Sequence, residues 1–423
     1  MVSHTREPAL HYAWVIAATA MLVVLGAVGL ARFAFGVILP AMAQDLALDY
    51  REQGILGASY FIGYLAVVAL MPWLAPKLGP RRLCVSGTAL VALSLVAMSL
   101  VREYGLLSAS YFITGLGSGA AFVGAMALPS HWFYPSHRAR AAGVATAGAG
   151  VAILFSGLVV PQVSGAFGFA SWQIIWLMFA GLTALFCLLA GLLLRDRPEE
   201  KGTTPFGRPG AGGAGASRTP AKPVRGGPIL IRLGAIYSLF AVTSLTYTTF
   251  IVTTMVNDLS VPKAAAGVLW SVVGGLSIFS GPLFGNVSDR WGHRAGIVSA
   301  LVAQAMAYGL IAAGSGTIGL YCSILLFGLS AWSLPSIVSA AAGDYFGPER
   351  AAGIFAILTL LFAVGQVVGQ RRRHLVDRPL ADRVGDLAVH RTDVLAAGEH
   401  DHPPAPPVAP MGSAEGLGQQ RTG

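Results

Sequence analysis

Arg32 stands in Gly29-Leu-Ala-Arg-Phe-Ala-Phe35 and is the one charge in the run from Trp14 to Ala41. A guanidinium presents a planar fork of donors that fits a carboxylate or phosphate through two parallel hydrogen bonds. Placing it in apolar surroundings costs about 2.5 kcal/mol or more, so it must face a wet cavity, a partner or an interface. Two roles are open. Arg32 is either a binding or gating group for an anionic solute, or a structural residue snorkelling to the outer interface from beyond the middle of its run. No Asp or Glu lies in any other long apolar run. A buried carboxylate that titrates with a coupling proton is therefore missing, which leaves coupling by another group or facilitated exchange.

Uncharged hydrogen-bonding and aromatic residues in other apolar runs suit an amphipathic organic solute. Tyr60 and Tyr64 share a helical face at i, i+4. Tyr111 and Thr114 lie in a third run, Thr243 and Tyr247 in the Thr-rich stretch Thr243-Ser-Leu-Thr-Tyr-Thr-Thr249, and Trp332 in Ser330-Ala-Trp-Ser333. For each of these, helix-to-helix hydrogen bonding or packing is the competing role. A polar segment, Gly285-Asn-Val-Ser-Asp-Arg-Trp-Gly-His-Arg294, offers different chemistry. Asp289, beside Arg290 and Arg294, can accept bonds from an Arg or from the N-terminal amides of a neighbouring helix. Such a contact would latch one end of the molecule; the alternative is a set of ordinary loop charges.

Other chemistries are poorly served. Cys84, Cys187 and Cys322 all lie in apolar runs and form neither a disulfide framework nor a zinc-ligand spacing. Gly115-x-Gly117-x-Gly119 has no preceding strand and no following Lys, so it is no phosphate loop. Gly148, Gly157 and Pro161 fit close packing and a bend. His-Glu-x-x-His and Gly-x-Ser-x-Gly are absent, so an enzyme is not expected and no cofactor is implied. Glu399-His-Asp-His402 reads as an exposed polar tail rather than a metal site.

The elements that must hold these residues are membrane helices. Of 423 residues, 55% are apolar and 11% charged, which excludes an ordinary soluble domain. Eleven runs approach the roughly 20 residues that cross a bilayer: Trp14–Ala41, Gly54–Leu74, Leu83–Val101, Gly105–Leu128, Ala139–Val160, Trp172–Leu194, Ile229–Val256, Ala265–Phe284, Gly296–Gly314, Ile318–Ala342 and Ala351–Gly369. With the N-terminus inside, the inner segments carry 17 Lys and Arg and the outer loops only Arg51, Arg102 and Lys263. The net charge of +9 is then a topology signal, not a nucleic-acid patch. Residues 1–194 form a six-span unit and 229–370 a five-span unit. Between them lies a polar cytoplasmic linker, 195–228, whose Gly/Pro/Ala-rich composition predicts mobility. Such a chain is expected to act as a monomer in the lipid bilayer, with a small-molecule solute as its partner.

The two units repeat each other. His131-Trp-Phe-Tyr-Pro-Ser-His-Arg-Ala-Arg-Ala-Ala-Gly143 and Asp344-Tyr-Phe-Gly-Pro-Glu-Arg-Ala-Ala-Gly353 end in glycines 210 residues apart. Leu74-Ala-Pro-Lys-Leu-Gly-Pro-Arg-Arg82 matches the Asp289 segment with Gly79 and Gly292 offset by 213. These features resemble the major facilitator superfamily of transporters, whose loop signature Gly-x-x-x-Asp-Arg-x-Gly-Arg-Arg is matched by Gly285, Asp289, Arg290, Gly292 and Arg294, with His293 as the one substitution. The first-half copy is degenerate, with Pro72, Pro76 and Lys77 in place of Gly, Asp and Arg. Phe33-Ala-Phe-Gly-Val-Ile-Leu-Pro-Ala-Met42 resembles the YbfB/YjiJ-like bacterial branch. The resemblance implies an all-α polytopic fold of twelve spans in two bundles, working by alternating access in a bacterial inner membrane; this sequence supplies about eleven of them, with the twelfth missing. It implies a central path lined by the first, fourth, seventh and tenth spans, and names no substrate. A drug or solute efflux antiporter is one alternative; a non-transporting receptor or inactive remnant is another.

The duplication predicts a twelfth span near 382–404, yet Asp382-Arg-Val-Gly-Asp-Leu-Ala-Val-His390 cannot span. Arg371-Arg-Arg373 falls where the topology requires the outside. The abrupt change after Gly365-Gln-Val-Val-Gly-Gln370 reads as an out-of-frame or truncated tail, against a genuine eleven-span variant ending in a polar tail.

Overall fold

The computed structural model describes residues 11–167, 171–208, 226–257, 259–313 and 316–371. The tail after 371, and with it the expected missing span, lies outside the described residues. The described residues are almost wholly helical. In order they form α1 (Tyr12–Val24), a π-helical segment (Leu25–Phe33), α2 (Phe35–Asp45), α3 (Tyr50–Leu100), α4 (Tyr104–Trp132), α5 (Pro135–Phe167) and α6 (Ser171–Leu193). A 3-10 turn (Pro198–Lys201) precedes α7 (Gly226–Asn257), α8 (Lys263–Trp291), α9 (His293–Ala312), α10 (Gly316–Ser330), α11 (Ser333–Phe346) and α12 (Pro348–Arg371).

Eleven crossings emerge once two irregularities are counted. The first span is one path of α1, π segment and α2. The tenth is broken between α10 and α11 at Ala331 and Trp332. In contrast, α3 holds two crossings: 51 residues at 1.5 Å each would run about 75 Å, against a core near 30 Å. It turns at Gly79, where φ is 77° and ψ 159°. Gly292, between α8 and α9, takes φ 88° and ψ 159°. The repeat visible in sequence thus extends to the backbone: both copies turn on a glycine in a region that side chains scarcely enter.

Glycine also sets how closely the helices approach. A Cβ on Gly115 would lie 2.0 Å from the Tyr60 carbonyl oxygen, and one on Gly117 would lie 2.6 Å from that of Gly87, so α4 seats against both limbs of α3. A Cβ on Gly143 would meet the Gly281 backbone at 2.2 Å, and one on Gly285 the Ala139 carbonyl oxygen at 2.5 Å. This α5–α8 seam joins the first six spans to the rest. Gly148 likewise lies backbone to backbone with Met21, the close packing its sequence context implied. Small residues serve this purpose in lipid, where only close contact drives helices together. Outward, Leu70, Trp73, Leu93, Leu192, Phe279 and Ile318 are exposed, as residues facing acyl chains should be.

The linker departs from expectation over its first part. Residues 195–208 are held down rather than loose. The Phe206 N–H donates to the Trp132 carbonyl and the Phe206 carbonyl accepts from Tyr134 N–H, both at 2.9 Å. The Phe206 ring packs among His11, Trp14, Phe133 and His137. An aromatic anchor and a backbone bridge outweigh the Gly/Pro bias of the residues that follow.

Because a Cβ on Gly292 meets open space, Gly292→Ala isolates backbone strain. It should lower stability by about 1–3 kcal/mol, read as a drop in thermal unfolding temperature of the detergent-purified protein, whereas Gly275→Ala, also in open space but helical, should not.

Candidate functional site

Arg32 lies on the last turn of the π segment, half-buried. Its guanidinium carbon sits 4.6 Å from the Phe61 ring centroid and 5.2 Å from that of Phe33. Among the described residues no carboxylate pairs with it. Tyr60 packs 5.1 Å from Tyr111 and 6.3 Å from Tyr64, so one wall of aromatic rings runs beside the arginine. The Tyr60 hydroxyl is buried without a hydrogen-bond partner. From the other half, Trp332 meets Phe33 edge-on at 5.2 Å. Trp332 sits at the break in the tenth span, its N–H donating to Ser280 Oγ at 2.9 Å. The two spans that depart from α-helical geometry therefore touch each other at this point, next to Arg32. Irregular turns of this kind recur at functional sites and in the broken helices of transporters.

Of the eight residues singled out for solute contact, the structure gathers Arg32, Tyr60, Tyr64, Tyr111 and Trp332. The others stand apart. Thr114 is fully buried between α3 and α4, sharing a 2.8 Å hydrogen bond with Ser94. Tyr247 bonds Ser323 at 2.8 Å and stacks on Phe327 inside the second half. The Thr243 hydroxyl returns to carbonyls of its own helix. Tyr111 itself is buried with its hydroxyl on the Ala31 carbonyl, so its polar atom is already committed.

A second constellation lies at the end of the molecule that carries the Asp289 segment. Both Asp289 carboxylate oxygens accept from α5 amides, Ala139 N–H and Arg140 N–H, at 2.8 Å each. The acceptor role expected of Asp289 is there, met by helix amides rather than by Arg290 or Arg294, both of which are exposed. Gly285 makes this possible, since any side chain there would strike α5. Beside it runs a chain that sequence reasoning did not assemble. Arg138, 7% exposed, donates to Asp344 and to the carbonyls of Ser130 and Phe133. Asp344 also pairs with His293 Nε2 at 2.7 Å, and His293 Nδ1 meets Ser288 Oγ at 2.9 Å. The clue in sequence was a lone acid closing the apolar run Ala340-Ala-Ala-Gly-Asp344.

The first half has no equivalent of Asp289. Pro72 packs against Gly353, its Cα 3.3 Å from where a Cβ would stand, and Asp196 instead accepts from Arg81 N–H at 2.7 Å. At the opposite end Asp45 accepts from Trp172 Nε1 and Arg102, both at 2.8 Å.

Helices crossing a membrane, a duplicated arrangement and a charge-poor aromatic centre define a polytopic membrane transporter. The sequence profile of the Major Facilitator Superfamily matches residues 21–370, and the chain belongs to that family. It is 26% identical to the 3-(3-hydroxy-phenyl)propionate transporter of Escherichia coli strain K12, over 88% of this chain and 89% of that one. A shorter match, 24% identical over 40% of this chain and 39% of the relative, is to the hexuronate transporter of Bacillus subtilis strain 168. Among solved structures, the human organic anion transporter MFSD10 superposes with TM-score 0.65 at 17% identity, covering 86% and 92% of the two chains. FucP in the outward conformation gives 0.62 at 13% identity, covering 86% and 91%. The protein is a multi-pass secondary transporter of a small organic solute.

The Arg138–Asp344 pair gives a direct test of the second constellation. Asp344→Ala strands a buried guanidinium and should cost about 3–5 kcal/mol. Adding Arg138→Leu should restore much of the loss, as read by thermal unfolding of the single and double variants.

Proposed function

We propose that the transported solute is a small organic anion, a carboxylate on an apolar or aromatic body, and that Arg32 receives its charge. The observation that carries this is a half-buried guanidinium on a membrane helix with aromatic rings around it and, among the described residues, no acid paired to it. An intramembrane cation without a countercharge is costly, and an anionic solute supplies that countercharge. Support also comes from the phenylpropionate and hexuronate relatives. The aromatic wall of Tyr60, Tyr64 and Phe61 accommodates the rest of the solute, with Trp332 closing from the other half.

In this reading the Asp289 end faces the cytoplasm of a bacterial inner membrane, which the excess of Lys and Arg at that end supports. The N-terminus is then cytoplasmic and the protein acts as a monomer. The bonds of Asp289 to α5 and of Arg138 to Asp344 latch the inner side shut, so opening inward requires breaking them. Gly285, Arg290, Gly292 and Arg294 complete the loop that carries this latch. Residues 1–194 and 229–370 are the two bundles that rock against each other, with 195–228 as their cytoplasmic connection.

Two outcomes follow. In proteoliposomes offered 3-(3-hydroxyphenyl)propionate, a hexuronate and neutral sugars, the parent should carry a carboxylate. Arg32→Lys should weaken that transport and Arg32→Gln nearly abolish it without loss of membrane insertion; full transport by Arg32→Gln would make the arginine structural. Asp289→Asn should keep the fold and move the inward–outward balance by about 1–3 kcal/mol, seen as increased labelling of cysteines placed on the inner side. Labelling identical to the parent on both sides would refute the latch.

A further inference from the structure

The first span does not stay α-helical through the bilayer. For nine residues, Leu25–Phe33, it widens into a π-helix. π-helical hydrogen bonding is rare beyond a single turn, so this length needs an outside cause. In lipid it also needs an answer for each carbonyl the altered pattern leaves weakly bonded, because no water is there to take it up. Two carbonyls of the segment are met from α4. Ser118 Oγ donates to the Ala27 carbonyl and the Tyr111 hydroxyl donates to the Ala31 carbonyl at 3.1 Å. Both donors are buried, Ser118 at 0% and Tyr111 at 2% exposure, so neither can turn to solvent instead. They sit seven residues apart on α4, two turns on the same face, and their acceptors are four residues apart. The Tyr111 ring is fixed in turn by stacking on Phe35 at 4.6 Å and by Tyr60.

The residue that follows the second accepted carbonyl is Arg32. An α-turn holds 3.6 residues and a π-turn more, so rewinding the segment as α-helix rotates whatever follows relative to α1. That rotation would take the guanidinium away from Phe33, Phe61 and the meeting point with Trp332.

We propose that Tyr111 and Ser118 are positioning residues: their hydroxyls hold the first span in its π geometry and so aim Arg32 into the solute path. This rests on reading Arg32 as the solute's anion-binding group. Neither hydroxyl touches the solute; each acts through the backbone that carries the arginine.

The test uses full-length detergent-purified and reconstituted protein in two arms. The first needs no solute: phenylglyoxal modification of Arg32, followed by peptide mass spectrometry. Tyr111→Phe, which keeps the ring, and Ser118→Ala should each slow modification of Arg32 while the exposed Arg290 and Arg294 react at the parent rate. In the second arm, with 3-(3-hydroxyphenyl)propionate as probe, each variant should raise KM by up to about ten-fold, the effect of one lost buried hydrogen bond, with kcat near that of the parent. Arg32 reacting at the parent rate in both variants overturns the proposal, whatever happens to transport. Slowed labelling in the variants, with parent-like transport by Arg32→Gln, would keep the positioning role and discard the anion reading. Should one variant fail to fold, the other carries the test.

Discussion

In hydrocarbon a stranded peptide N–H or C=O has no water to fall back on, and that constraint organises the molecule. It makes the chain helical almost throughout its described length. It also means that each departure from regular helix must be answered by protein. The π segment is answered by α4 hydroxyls, and the break before α11 by Ser280 on Trp332 N–H. The amides near the start of α5 are answered by Asp289. These repairs are where chemistry is concentrated. The irregular stretches of the first and tenth spans meet at Phe33 and Trp332, one residue from Arg32.

Charge is distributed by the same logic. Among the described residues the buried charge is Arg138, and at its end Arg138, Asp344, His293 and Asp289 tie α5 to α8, α9 and α11. Taking Arg138 out of water is tolerable because three protein acceptors replace the lost hydration. The exposed Arg197–Glu349 pair at that end adds little by comparison. The duplication is unequal in this respect. Both halves keep the glycine turn, but only the second keeps the acid, and where the first has Pro72 the contact with α12 is one of shape alone. The carboxylate-to-amide contact of Asp289 with α5 thus has no counterpart at Pro76 in the first half.

Much of this was legible in the residues. Apolar run lengths yielded the eleven crossings, because a bilayer sets one length for all of them. Gly79 and Gly292 marked their turns, and Asp289 its acceptor role, because each depends on local geometry that a short motif encodes. Arg32 was conspicuous as a charge in an apolar run. The pairing of Arg138 with Asp344, 206 residues away, was not legible, since no local signal connects them. The π segment was equally hidden: Leu25–Phe33 reads as ordinary membrane helix, and the cause of its widening lies on α4. The docking of residues 195–208 escaped because composition described the linker as a whole, while a single aromatic, Phe206, decides its first part. Thr114, Thr243 and Tyr247 were ambiguous for the opposite reason: the structure gives their hydroxyls protein partners. A hydroxyl in a membrane helix announces a hydrogen bond without saying whether a solute or another helix receives it.

The central claim is that the site recognises a negative charge through Arg32. Calorimetric binding of matched pairs, each an organic carboxylate and its neutral amide of the same shape, tests that most directly. Loss of a charge-assisted contact in a half-buried site should weaken the amide by about 1.5–3 kcal/mol. Carboxylate and amide binding with equal affinity would contradict the account.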